Sequence, residues 1–163
     1  ISNEYISHLE SLGVKSVIIS QVLEFDDSSA KGVVNFEKVH VEYGDQRTFT
    51  DLVSRLKEKV LCDIPGIKVM LQFIPNQTSI QHDWFRNPAV RDNYYVTMDA
   101  SQDSSWSSLS TPNDAGSAWS EVPVNEDILF LHQFTTGEPD LNYRNSDVIR
   151  EINGALEFWY SLG

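Results

Sequence analysis

The architecture this sequence predicts is α/β, with a parallel sheet. Two runs carry the prediction, "VKSVIIS" at 14–20 and "IKVMLQFI" at 67–74, both short, apolar and rich in β-branched residues, and both set between amphipathic stretches with helical spacing. Continuous apolar strands alternating with helices are what a parallel sheet buried on both faces needs, because crossover helices cover it. A TIM barrel and a doubly wound open sheet both satisfy this pattern. No Gly-rich phosphate loop follows either run, which weighs against the nucleotide-binding versions. In both architectures function collects at the carboxyl ends of strands, and here those ends carry Gln72, Asn76 and Gln77.

The first helix is predicted from Tyr5, Ile6, Leu9 and Leu12, at i, i+1, i+4 and i+7, with Gly13 as its stop. Residues 21–43 hold no sustained period and are expected to form a long connection. Residues 48–59 return to helical spacing through Phe49, Leu52, Val53 and Leu56, with Thr48 as the expected cap and Asp51 three residues on. From Asn76 to Asn145 the chain turns rich in Ser, Asp, Asn, Pro and Trp, with "SQDSSWSSLSTPNDAGSAW" at 101–119. Trp84, Trp106 and Trp119 point to a compact inserted lobe, since a linker offers an indole no burial. A last helix follows from Val148, Ile149, Ile152, Leu156 and Trp159, capped by Asn145 or Ser146 with Asp147 in its positive first turn.

A net charge of −12 repels phosphate backbones and anionic lipid surfaces, so nucleic acid is not an expected partner. The apolar runs fall far short of the roughly 20 residues that span a bilayer. Cys62 is the single cysteine and excludes an internal disulfide and a cysteine-based zinc site, leaving a packing role. Residue 1 is Ile, and the helix stop at Ser161-Leu162-Gly163 is of a kind that leads into another strand; the chain is therefore expected to be a piece of a longer one.

Few residues announce chemistry by themselves. His8, His40, His82 and His132 lack metal-like mutual spacing, and His132 in "FLHQF" is expected to be packed and hydrogen-bonded. Asp83, Asp92 and Asp99 form no pair that spacing reveals, and solvated loop acids are the expectation. The tryptophans are expected to pack in the core or the lobe. "NQT" at Asn76 is the only glycosylation sequon, and its position directly after a buried strand argues against a glycan.

Read in order, "YISHLESLGVKSVIIS", "FEKVHVEYGDQRTFTDLVSRLKEK", "KVMLQFIPNQTSIQHDWF", "GSAW", "FLHQFTTGEPDLNYRNSDVIREI" and "ALEFWYSLG" resemble consecutive blocks of the alpha-amylase family, in its oligo-glucosidase branch. "IPNQTS" resembles the strand-three motif, and "EPDLNYRN" the signature that closes the inserted lobe. The resemblance implies a (β/α)8 TIM barrel with a small domain inserted after the third strand. Residues 1–75 would then run from the first helix to the third strand, 76–145 would form the inserted lobe, and 146–163 the third helix. It also implies that Asn76 and Asp140 occupy positions that hold a structural calcium in many members, and oxygen ligands suit that hard cation.

Several positions depart from the family pattern. Gln72 stands where the motif has Asp, Gln77 where it has a sugar-contacting His, and Lys31-Gly32 where active members have Tyr-Asp, the Asp gripping the terminal glucose. Amides still hydrogen-bond but carry no titratable proton near neutrality, and glycine offers no acceptor. Removing partners from a site built for a sugar forfeits roughly 1–3 kcal/mol each. Gly32, Gln72 and Gln77 are thus expected to be remnants of a sugar subsite, and the family's catalytic carboxylates match positions beyond Gly163.

The same branch includes heavy subunits of heteromeric amino-acid transporters, of the rBAT and 4F2 heavy-chain types, which resemble this chain in keeping the barrel while losing sugar contacts. That likeness, the rBAT type above all, implies a type II membrane glycoprotein at the plasma membrane with its barrel outside the cell. Its anchor would lie outside this segment, and its partner would be a multi-spanning transporter light chain, disulfide-linked through a residue outside this segment. The alternative within the family is a retaining α-glucosidase acting on short α-glucosides.

Overall fold

The computed structural model describes residues 2–27, 32–58, 66–102, 106–112, 116–123 and 125–163. In chain order the elements are α1 (Asn3–Ser11), β1 (Ser16–Ile19), β2 (Leu23–Phe25), β3 (Val33–Val39), α2 (Gln46–Lys57) and β4 (Lys68–Leu71). They continue through α3 (Asp83–Arg86), α4 (Pro88–Tyr94), β5 (Thr97–Asp99), β6 (Trp119–Val122), β7 (Asn125–Leu131) and α5 (Ser146–Ser161). The chain divides into two compact units, one of residues 1–24, 37–73 and 155–163, the other of residues 25–36 and 74–154.

In the first unit, β1 and β4 are parallel neighbours in the register Ser16↔Lys68 to Ile19↔Leu71. Parallel strands require a crossover, and α2 lies within it. Ile6 of α1, Leu56 of α2 and Ile67 form the buried centre, with Leu9, Val14, Val17, Leu52 and Val69 packed around them. The side-chain period of two sends Ile18 and Met70, opposite each other in the register, to the other face, where they are 69% and 49% exposed. Burial on both faces was the expectation; among the described residues the helix-covered face, with Val17 and Val69, is half-buried and the other is exposed. A barrel needs eight strands to fill its interior with side chains, and this pair contributes two.

The helix limits follow their local signals. Ser2 caps α1 by accepting from the Tyr5 N–H, and Gly13 takes the positive φ of 73° that ends it. Asp45, rather than the expected Thr48, caps α2; Thr48 sits at its third position and completes a reciprocal capping box with the Asp45 backbone N–H. On α5 Asn145 Oδ1 accepts from the Asp147 N–H at 2.9 Å and so caps the helix. Its buried stripe is Val148, Ile152, Ala155 and Trp159, while Ile149 and Leu156, both expected on that face, are exposed. Trp159 meets Phe49 edge to face at 5.1 Å.

The expected long connection over residues 21–43 is instead a β2–β3 ribbon followed by a 3-10 turn at Val41–Tyr43. Its burial is irregular along β3, so no clean alternation marks it in sequence. Cys62 and Lys31 lie outside the described residues.

The second unit holds an antiparallel sheet ordered β5-β7-β6. Phe85 packs edge to face on Tyr95 and Phe130 at 5.1 and 5.0 Å, and the Tyr95 hydroxyl meets Thr78 Oγ1 at 2.7 Å. Beside them His82 lies 4.4 Å from Trp84 and 5.8 Å from Phe36, centroid to centroid, and its Nδ1 accepts from the Trp84 N–H. Trp84 therefore packs in the lobe as expected.

Burial pushes His82 down from 6.5 to about 4, against the opposing pull of Asp83. The unfolded chain takes up that proton near its ordinary pKa and the folded lobe only near 4, so His82 favours the fold above pH 6.5, and this contribution is lost as pH falls towards 4. The loss is on the order of 3 kcal/mol. His82→Asn keeps a capping acceptor for Trp84. Urea unfolding of the full-length protein followed by tryptophan emission between pH 4 and 7 is expected to show a shallower acid dependence in the variant.

Candidate functional site

Residues 76–79 are paired along their length with residues 139–141 and 33. The Leu141 N–H donates to the Asn76 carbonyl at 2.9 Å and the Thr78 N–H to the Pro139 carbonyl at 3.3 Å, which makes Gln77 and Asp140 direct antiparallel partners. Because neither of these two residues donates to the other, they form the closely spaced kind of pair, with side chains on one face. Asp140 is further fixed by its own N–H on the Leu131 carbonyl at 2.9 Å and by the Val96 N–H on its carbonyl at 3.0 Å.

Asp140 is buried, 2% exposed as a residue. It accepts from Asn76 Nδ2 at 2.8 Å and from the Gln133 N–H at 3.3 Å. Burial pushes its pKa above the usual carboxylate range, and these hydrogen bonds hold it partly down. On the partner strand, Gln77 Oε1 is buried without a hydrogen-bond partner. A desolvated carboxylate and an orphaned amide oxygen are hard oxygen donors of the kind a divalent cation takes, while Asn76 turns its Nδ2 to the carboxylate and would ligate only through its Oδ1. A full shell has six to eight oxygens, so these residues would supply part of one. No group of three His, Cys, Asp or Glu suited to a metal occurs among the described residues.

Gly32 lies in the same unit. A Cβ placed on it would come within 2.8 Å of the Ser79 nitrogen, 2.9 Å of the Ser79 Cα and 3.2 Å of Glu138 Cγ. The approach is fixed on both sides: the Ser79 N–H donates to the Val33 carbonyl at 2.8 Å, and Ser79 Oγ donates to Asp26 Oδ2 at 3.0 Å. Glu138 is partly buried here, with its carboxyl raised by that burial. The loop thus closes over the volume a side chain at position 32 would need.

Gly32, Asn76, Gln77 and Asp140 therefore fall within one unit, whereas Gln72 belongs to the other, where it is exposed at the end of β4 and donates its N–H to the Ile19 carbonyl at 2.9 Å. The Asn76 sequon is engaged: its side chain holds Asp140, and Thr78 is fully buried. His132 is packed, as expected, with Nε2 2.8 Å from Ser120 Oγ, and burial holds its pKa below the usual value. Asp92 pairs with Arg91 Nε at 2.9 Å, and Asp99 is held low by hydrogen bonds from Ser101. Sequence reasoning missed the Ser79, Asp26 and Glu138 surroundings of Gly32; no spacing signal joins residues so far apart in the chain.

The family description "Alpha amylase, catalytic domain" matches residues 3–163. Salivary alpha-glucosidase of Aedes aegypti is 30% identical over 98% of this chain and 28% of its own length. The amino acid transporter heavy chain SLC3A1 of Homo sapiens is 32% identical over 97% of this chain and 23% of its own. Among solved structures, the trehalulose synthase MutB from Pseudomonas mesoacidophila superposes with a TM-score of 0.83 at 26% identity, over 98% of this chain and 28% of that one. The chain thus spans about a quarter of the length of these proteins.

Gly32→Ala is the sharpest check on the closed loop. Away from positive φ such a change ordinarily stabilises by about 0.4–1 kcal/mol. Here it is expected to destabilise by about 1–3 kcal/mol, because backbone atoms of Ser79 must move. Denaturant unfolding of the full-length variant measures the sign.

Proposed function

Because the chain belongs to the alpha-amylase catalytic-domain family, with its (β/α)8 barrel, we propose that it forms part of the glucosidase-like ectodomain of an amino-acid transporter heavy subunit. Such a subunit chaperones and stabilises a multi-spanning light chain and does not hydrolyse sugars efficiently. The observation that carries this reading is Gly32: the family's glucose-gripping Asp is absent, and its volume is filled by the Ser79 backbone and Glu138. Gln72 and Gln77 add to it, since an acid and a ring donor are both replaced by amides. The reading is compatible with the heavy-chain relatives of Homo sapiens and Mus musculus, at 32% and 30% identity. In this reading the protein would sit at the plasma membrane, barrel outside the cell, anchored and disulfide-linked to its light chain through residues outside this segment. No helix among the described residues is long and apolar enough to cross a membrane.

The second reading is a retaining α-glucosidase, supported by the 30% identity to the Aedes aegypti enzyme, a value that does not separate the two. It would hydrolyse short α-glucosides with one carboxylate as nucleophile and a second as acid/base. The two readings part on a direct assay. The purified full-length protein is expected to leave maltose and nitrophenyl glucoside essentially uncleaved and to co-purify with a multi-spanning light chain through a reducible bond. Turnover at ordinary enzyme rates, on the order of 1–1,000 per second, establishes the glucosidase instead.

We also assign Asn76 and Asp140 to a structural calcium site. The ion would supply positive charge to a carboxylate that burial alone leaves poorly stabilised. Chelation is then expected to lower the melting temperature of the full-length protein, since a ligand bound only by the folded state stabilises it. In Asp140→Ala that sensitivity to chelator is expected to disappear; a variant that melts and responds like wild type rules the site out.

A further inference from the structure

His82 is buried where two segments of the second unit meet, one ending at Phe36 and the other running from Ser79 to Trp84. They are held together at two points. At the first, the Ser79 N–H donates to the Val33 carbonyl at 2.8 Å and Ser79 Oγ donates to Asp26 Oδ2 at 3.0 Å. At the second, the Phe36 ring lies 5.8 Å from His82 and 5.9 Å from Trp84, centroid to centroid. His82 also organises its own side of this contact. Its N–H donates to the Ser79 carbonyl at 3.0 Å, and its Nδ1 accepts from the Trp84 N–H at 3.1 Å as the cap of α3.

That cap exists in one protonation state. A proton on Nδ1 turns the acceptor into a donor, leaves the Trp84 N–H unpaired and puts a charge beside the rings of Phe36 and Trp84. Aromatic faces offer a cation part of what water gives it, but no lone pair for its N–H. From β3 the imidazole meets Phe36, and from α4 Tyr94 stands behind Trp84 at 5.2 Å, its hydroxyl neutral in acid. Asp83, next to it on α3, favours the protonated ring, and burial outweighs that pull. Asp26 and Glu138 reach the same junction through Ser79 and Gly32.

Release of this contact does not require the rest of the lobe to open. Phe85 holds α3 to Tyr95 and Phe130 through ring contacts, and backbone bonds join residues 76–80 to 137–141; none of these uses the imidazole. Segments held by few contacts open locally while the remainder stays folded.

We propose that His82 is an acid-operated latch: protonation of Nδ1 uncaps α3, frees Phe36 and lets residues 32–36 lift from Ser79, while the β5-β7-β6 sheet stays folded. The space it opens is the one beside Gly32 that Ser79 and Glu138 close. With the closed imidazole at about 4 and a freed one near 6.5, closure is fully favoured above pH 6.5 and progressively lost towards pH 4. The device holds whether the protein is a heavy subunit or a glucosidase.

The test is hydrogen exchange of the full-length protein at pH 7 and pH 5, read by mass spectrometry and corrected for the intrinsic pH dependence of exchange. Over that interval the opening constant of the latch is expected to rise roughly ten- to twentyfold. Peptides covering 32–36 and 79–84 are expected to lose that much protection, while one covering 125–131 in β7 keeps its own. His82→Asn retains an acceptor for the Trp84 N–H and takes up no proton in this range, so it is expected to abolish the response. Unchanged protection at 32–36 in the wild type overturns the proposal, and so does an equal loss at 125–131, which is unfolding of the whole lobe. Both comparisons use the wild type alone and decide the matter even where the variant does not fold. A folded His82→Asn that loses protection like the wild type also overturns it, and assigns the proton to Asp26 or Glu138.

Discussion

The ladder between residues 76–80 and 137–141 is the interaction on which the second unit depends. Its hydrogen bonds join the Leu141 N–H to Asn76, Thr78 to Pro139 and Ile80 to Gly137, so the two ends of a long excursion are brought back side by side. Closing a loop of that length costs entropy that grows only slowly with the number of residues, so one well-paired seam can hold it. The seam is extended by Asp140, whose N–H and carbonyl bond Leu131 and Val96 and so join it to the β5-β7-β6 sheet. The 76–80 and 137–141 segments thus lie side by side within the second unit.

That constraint explains why the polar residues gather where they do. Chain pairing buries Asp140 and the Oε1 of Gln77, and a buried carboxylate needs compensation; Asn76 and the Gln133 N–H provide some of it. On the other side of the same segment, Ser79 is drawn to Val33 and Asp26, which closes the space over Gly32. A single seam thus produces both the oxygen-rich cluster at Asn76, Gln77 and Asp140 and the close backbone approach at Gly32. For the same reason the 25–36 segment groups with the lobe and not with the strands that flank it.

Much of the fold was legible in the sequence because it is local. The stripes of α1, α2 and α5 and the apolar runs of β1 and β4 follow from side-chain period alone, and their parallel pairing follows from the alternation of element types. The cap of α2 shows the limit of such signals: Asp45 and Thr48 are both competent residues, and only the reciprocal bonds of the capping box decide which sits at the end. The β2–β3 ribbon was missed because a strand with irregular burial prints no period of two. Trp106 escaped for the opposite reason: composition says that an indole is buried, and the 106–109 turn holds it out.

By itself the sequence determined the α/β class, the parallel strand pair and the polar, Trp-bearing character of residues 76–145. These are statements about residue type and spacing, which a linear chain carries in full; the remnant roles of Gln72, Gln77 and Gly32 are what the family resemblance implies. Only the tertiary structure decided what surrounds those positions. That Asn76 meets Asp140 at 2.8 Å across 64 positions, that Gln77 pairs with Asp140 along the backbone, and that Ser79 fills the volume beside Gly32 depend on which segments lie together. No local pattern encodes such distances, because they are set by the hydrogen-bonded seam that the folded chain makes with itself.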